Sequence, residues 1–170
     1  MAALLTAFRF LTVLPLPLPR GADEGDWGRS TAWYPLVGLV LGLLLLGLDW
    51  FLHRLLPAEV AAVLLLSAWE GLTGALHLDG LVDCCDALFA AVPLERRLEI
   101  LRDVHAGTFG IVGAVLLLLA KYAALASLPA AVRFLGLPLV LALGRWGMTG
   151  AVLLFPCARS GPSLSRMVRT

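Results

Sequence analysis

Charged side chains are scarce in this chain. Only 15% of its 170 residues are charged while 60% are hydrophobic, and the mean hydropathy is +0.91. That composition excludes an ordinary soluble domain of this length and implies an integral membrane protein. Charge of one sign is missing as well: the formal net charge is +1, so there is no general footprint for nucleic acid, and any basic site must be local. Cysteine is sparse. Cys84, Cys85 and Cys157 make no C-x-x-C pair and no metal-ligand spacing, and adjacent cysteines rarely bridge because the ring they close is strained. They read as small apolar residues. The N-terminus lacks a basic region before its apolar stretch and an A-x-A site after "LPLPLPR", which predicts that no signal peptide is cleaved and that the start stays in the mature protein.

What the chain has instead is long apolar runs. About 30 Å of hydrocarbon needs roughly 20 helical residues, and four stretches supply them. The first is Trp33 to Phe51, with Trp33, Tyr34 and Trp50 at its ends, where amphipathic rings favour the headgroup level. A second begins near Ala58 and runs through "VAAVLLLSAWEGLTGAL", a third covers about Phe109 to Leu128, and a fourth Phe134 to Phe155. The opening "LLTAFRFLTVLPLPLP" is stopped by its prolines before it can span, which predicts an interfacial or re-entrant segment. The expected fold is therefore all-α: a polytopic membrane helix bundle forming a single domain over 1–170, with a cytoplasmic acidic loop at 79–107. Arg9, Arg20 and Arg29 precede the first span, Arg96, Arg97 and Arg102 separate the second from the third, and Arg159, Arg166 and Arg169 follow the fourth. The alternate loops hold Arg54 and Arg133. The positive-inside rule then places both termini and the 79–107 loop in the cytoplasm.

That loop opens with "GALHLDGLVDCCDALFA", residues 74–90. If it is helical, Asp79, Asp83 and Asp86 at i, i+4 and i+7 share one narrow sector. Three converging carboxylates repel one another, and a divalent cation such as Mg²⁺, which takes oxygen ligands and shares them with substrate phosphates, is the simplest stabilising partner. A solvated acidic helix start, favoured by the helix dipole, is the plain alternative. The following "PLERRLEILRDVHAGTFG" has Pro93 at an expected first helical position, with Leu94, Leu98 and Leu101 at helical spacing. Glu95, Arg96 and Arg97 there read as a wet face with local ion pairs. Arg102, Asp103 and His105 adjoin Gly107 and Gly110, where the chain re-enters the membrane, and are candidates to line the same pocket as the aspartates. Inside the spans, Glu70, Lys121 and Arg145 should face protein or water. Lys121 is placed to snorkel outward, whereas Arg145 lies too deep to do so. A Glu70–Arg145 pair is the structural expectation, and a polar cavity with Arg145 on a phosphate and Glu70 supporting the metal is the functional one.

Taken in order, "FRFLTVLPLP", "WYPLVGLVLG", "TGALHLDGLVDCCDAL", "RRLEILRDVHAGTFGIVG" and "GRWGMTGAVLLFPCAR" resemble the blocks of the cobalamin synthase (adenosylcobinamide-GDP ribazoletransferase) family. The H-x-D-G-x-x-D-x-x-D block beside a span is the most specific part. The resemblance implies a Mg²⁺-dependent inner-membrane transferase that joins adenosylcobinamide-GDP to α-ribazole or its 5′-phosphate and releases GMP. In that reading Asp79, Asp83 and Asp86 hold the metal, with one also able to accept the hydroxyl proton. Arg102 and Arg145 meet phosphate, and His77 orients a ligand carboxylate. Asp103, His105 and Glu70 are further candidates for the substrate site. A homo-oligomer is compatible with this pattern. The sequence departs from the family's usual D-S-R-[IL]-G at "DVHAG", where Val104 and His105 stand for serine and arginine, and Ala87 follows Asp86 in place of glycine. Family chains also continue through further helices, so this chain is expected to insert with both ends cytoplasmic and to turn over little alone.

Two other readings stand beside this one. A CDP-alcohol phosphotransferase also displaces a nucleotide from aspartates at a membrane rim, but its pattern is D-G-x-x-A-R where this chain has "DGLVDC". A cation-coupled transporter would use Glu70, Lys121 and Arg145 as a relay.

Overall fold

The computed structural model describes residues 2–17, 24–103 and 105–155, all regular structure among them being helical. Arg20, Val104, Pro156, Cys157, Arg159, Arg166 and Arg169 lie outside the described residues. The elements are α1 (Ala2–Leu11), α2 (Glu24–Ser30), a 3₁₀ turn (Thr31–Trp33), α3 (Tyr34–Leu55), α4 (Ala58–Thr73), α5 (Leu76–Phe89), α6 (Leu94–Ile100), α7 (Thr108–Ser127) and α8 (Ala130–Leu154). Among the described residues, three stretches are long and apolar enough to cross a membrane: Asp26–Leu55, Thr108–Ser127 and Ala130–Leu154. The expected second span is different. α4 has 16 residues, about 24 Å at the helical rise, and reaches spanning length only together with α5, from which it is bent by 87°.

The helices form two compact units, Met1–Leu55 with Pro129–Thr170, and Leu56–Leu128. In the first, α3 buries Val37, Gly38, Leu41, Gly42, Leu45, Asp49 and Leu52, a stripe at helical period. The leucines on its other side, among them Leu39, Leu43 and Leu44, are exposed, as suits a surface facing lipid. The facing stripe of α8 is Arg133, Leu137, Leu141 and Arg145, one residue per turn. Gly38 and Gly42 let the two backbones meet: a Cβ at Gly38 would collide with the Leu141 carbonyl, and one at Gly42 with Pro138 Cα. This is the small-xxx-small solution to helix packing in lipid, where close backbone approach replaces the hydrophobic driving force. Pro138 has no N–H of its own to satisfy at this contact.

At one end of that interface Arg133 Nε donates to both carboxylate oxygens of buried Asp49, at 3.0 and 3.1 Å. His53 Nδ1 lies 3.1 Å from the same carboxylate. At the other end, Thr149 donates to the Thr31 carbonyl at 2.8 Å. α1, too short to span, packs in this unit through buried Ala7 and Leu11, with Phe10 stacked on Tyr34 at 5.8 Å.

In the second unit α7 packs against α4 and α5. The break between α4 and α5 is two consecutive left-handed residues, Gly74 (φ 59°) and Ala75 (φ 54°). Glycine takes this conformation freely, whereas the alanine costs about 1–2 kcal/mol. Ala75 N–H closes the turn on the Glu70 carbonyl at 2.8 Å. Glu70, weighed in sequence as a partner for Arg145, accepts from Lys121 Nζ at 2.7 Å, and the ammonium lies 4.4 Å from the Trp69 ring centre. Lys121 therefore does not snorkel. α4 and α7 lie side by side, and a carboxylate one helix away satisfies an ammonium in an apolar span better than a stretched side chain does. Pro93 sits one position before its expected place, as the N-cap of α6 with extended backbone.

Candidate active site

The acidic stretch is a helix, as its spacing predicts, and the bend makes Leu76 its first residue. His77 and Asp79 lie in its first turn, and Asp83 follows Asp79 one turn later on the same face. Asp79 is exposed and Asp83 and His77 half-buried. The three-carboxylate convergence expected of Asp79, Asp83 and Asp86 is not formed: among the described residues no group of three or more His, Cys, Asp or Glu is placed to hold a metal ion.

Asp86 is turned elsewhere, and the reason is local. It is buried, and its two oxygens accept the N–H of Gly107 at 2.7 Å and of Gly110 at 2.8 Å. These are the N-cap and third residues of α7, whose N-cap has no side-chain partner of its own. A helix start leaves four N–H groups without intrahelical acceptors and carries partial positive charge, so a carboxylate satisfies both needs. Asp86 is thus a capping group supplied from another helix. Close approach is possible because α7 presents glycine: a Cβ at Gly110 would run into the Asp86 carboxylate and lie 2.6 Å from Val82 Cγ1, and one at Gly113 would lie 2.5 Å from Cys85 Sγ. The "GTFGIVG" spacing was the legible sign of this contact, but α5 had to be seen against it to read it.

Next to the cap, a cavity of about 340 Å³ is lined by Asp86, Ile100, Asp103, His105, Gly107 and Thr108, among others. Asp103 and His105 therefore do gather with Asp86. Asp103 Oδ1 accepts from the His105 backbone N–H at 3.0 Å and lies 2.7 Å from His105 Nδ1. The side-chain contact, then the backbone N–H, holds the Asp103 carboxyl below the usual carboxylate range. Arg102 lines a smaller hollow of about 220 Å³ with Arg96, Glu99, Ile100 and Asp103. Arg96 pairs with Glu99 on the exposed side of α6, the wet-face pairing its spacing implies. Arg145 belongs to the first unit and is buried there at 4% exposure on the α8 stripe. Glu70 is committed to Lys121.

A Mg²⁺ ion fits what remains. Such ions are held by one or two carboxylates together with substrate phosphates, and Asp79 and Asp83 are two carboxylates one turn apart whose side chains make no hydrogen bond or ion pair among the described residues. Asp86 is a further carboxylate on the same helix and makes no ion pair among the described residues.

The chain is 50% identical over 119 residues to an adenosylcobinamide-GDP ribazoletransferase of Geotalea daltonii, covering 70% of this chain and 48% of that protein. It is 51% identical over 128 residues to one of Deinococcus radiodurans, covering 75% and 47%. With one of Pseudomonas putida the identity is 43% over 167 residues, covering 95% and 67%. The chain spans about half the length of the first two of these curated relatives. No solved structure matches it. The cobalamin-5-phosphate synthase (CobS) family model matches residues 3–170, the bent acidic helix and its capped partner included, and the chain belongs to that family.

Proposed function

We propose that this protein carries out the ribazoletransferase reaction named for its relatives: a hydroxyl of α-ribazole or its 5′-phosphate attacks phosphorus in the diphosphate of adenosylcobinamide-GDP, and GMP leaves. The supporting observation is the division of labour along α5. Asp86 anchors the helix to the start of α7, which leaves Asp79 and Asp83 presented on one face beside the bend. Phosphoryl transfer asks mainly for positioning and neutralised phosphate charge. Mg²⁺, held by Asp79 and Asp83, would supply that neutralisation when bound. Asp83, the less exposed of the two, accepts the hydroxyl proton as the new bond forms. Arg102 meets phosphate oxygens from the hollow beside Asp103. Asp103 orients His105 at the cavity mouth so that the ring lies where a phosphate or ribose group passes. His77 steadies the first turn that carries Asp79. The acidic helix and the α6 loop face the cytoplasm of an inner membrane, as the arginine distribution implies.

The test follows GMP release from adenosylcobinamide-GDP and α-ribazole 5′-phosphate by membranes holding the protein with Mg²⁺. Asp83→Asn, an isosteric neutral ligand, should leave the melting temperature unchanged and lower turnover by about 100-fold or more. Normal GMP release by that variant would overturn the assignment.

A further inference from the structure

A further cavity has no residue of the acidic helix in its lining. It lies in the first unit between the C-terminal end of α3 and the first turns of α8, encloses about 630 Å³, and includes Leu43, Leu46, Trp50, Arg54, Arg133 and Phe134 in its wall. Its position on the chain is where membrane-spanning helices end, and exposed Trp50 and Phe134 mark it as a rim. Two guanidiniums and one carboxylate contribute to it. Arg133 is matched by Asp49 at 3.0 Å, with His53 on the same carboxylate. Arg54 is not matched: its guanidinium lies 3.7 Å over the Trp50 ring and makes no ion pair among the described residues. Ala130, the first residue of α8, also lines the cavity, and the N-cap there is Pro129, which supplies no side-chain cap. An uncapped 25-residue helix start, an unmatched guanidinium stacked on an indole, and an apolar wall running back along the span form one surface.

We infer that this cavity binds an anionic phospholipid, the phosphate seated between Arg54 and the first turn of α8 and an acyl chain lying along Leu43, Leu46 and Phe134. The chemistry of each part selects that occupant. A helix N-terminus and a guanidinium both favour a phosphate, and the buried Asp49–Arg133 pair leaves the surplus charge positive. The aliphatic wall adds what a free anion cannot use, and an anionic headgroup lacks the choline ammonium that Arg54 would repel. The inference rests on the membrane reading of the chain and not on the proposed transferase activity, so either can fail alone.

The experiment uses the purified 170-residue chain in detergent, with dioleoylphosphatidylglycerol, dioleoylphosphatidylcholine or inorganic phosphate added. Native mass spectrometry reads the bound lipid and thermal unfolding reads its effect. The wild-type protein should retain one phosphatidylglycerol about tenfold more tightly than phosphatidylcholine, and its melting temperature should rise with the former. Arg54→Ala should erase the preference while leaving the lipid-free melting temperature unchanged. Ala130→Glu, which places a carboxylate where helices accept one readily, should repeat the loss. Equal retention of the two lipids, or an undiminished preference in both variants, would overturn the proposal. A melting-temperature rise with inorganic phosphate as large as with phosphatidylglycerol would overturn it too, in favour of a free anion.

Discussion

Each of the two compact units buries an aspartate, and the two are satisfied in opposite ways. Asp49 is bound by a guanidinium on the facing helix and by a histidine on its own. Asp86 is bound by two backbone N–H groups at a helix start. The first arrangement cancels charge and locks α3 to α8. The second satisfies hydrogen-bonding capacity but supplies only the partial charge of a helix end in place of an ion pair. A carboxylate of the first kind suits a structural joint; one of the second kind suits a place where a cation and phosphates are to meet.

This contrast predicts unequal consequences of removing each acid. Asp49→Ala should have the largest effect, because it strips a buried guanidinium of its carboxylate, a change that costs about 3–5 kcal/mol in buried pairs. Chemical unfolding in mixed micelles should show that loss, and the double change Asp49→Leu with Arg133→Met should recover most of it. If Asp49→Ala unfolds like the wild type, the pair is not a joint and the contrast collapses.

Asp86→Ala should cost less, about 2 kcal/mol, the range for a lost cap with its N–H groups left in place. Its particular signature is faster hydrogen exchange at Gly107 and Gly110. Asp83→Asn should leave exchange at those two amides unchanged, which separates the anchoring acid from the presented one. Exchange accelerated equally by both substitutions would show that α5 does not divide its acids in this way.

The smallest effect lies at the cavity mouth. His105→Ala should let the Asp103 carboxyl rise back toward its ordinary value, seen by carboxyl NMR titration. The sign follows from a lowered acid: what the Asp103–His105 contact contributes is present above the ordinary carboxylate pKa and fades as pH falls through the lowered one. An Asp103 titration that ignores the His105 substitution would assign the lowering to other groups.

Much of this was legible in one dimension. Apolar length announced α3, α7 and α8, and the prolines and glycines marked their ends. The period of Asp79 and Asp83 placed both on one helical face, and the family blocks were readable in order. Less legible was which charged groups would meet. Glu70 was expected with Arg145 and found Lys121; Asp86 was expected with its neighbours and found Gly107 and Gly110. Asp49 is unmarked in one dimension: nothing near it in sequence signals burial, and its partner Arg133 is 84 residues away.

What the sequence alone determined is therefore what short-range physics decides: hydrophobic length sets which segments can cross a bilayer, and helical period sets which side chains share a face. Only the tertiary structure decided partners. A carboxylate or an ammonium in an apolar setting takes the donor or acceptor that packing brings within about 3 Å, and that depends on which backbones can approach. Gly38, Gly42 and Gly110, by carrying no side chain, admit the approaches that bring α8 with Arg133 to Asp49 and the start of α7 to Asp86.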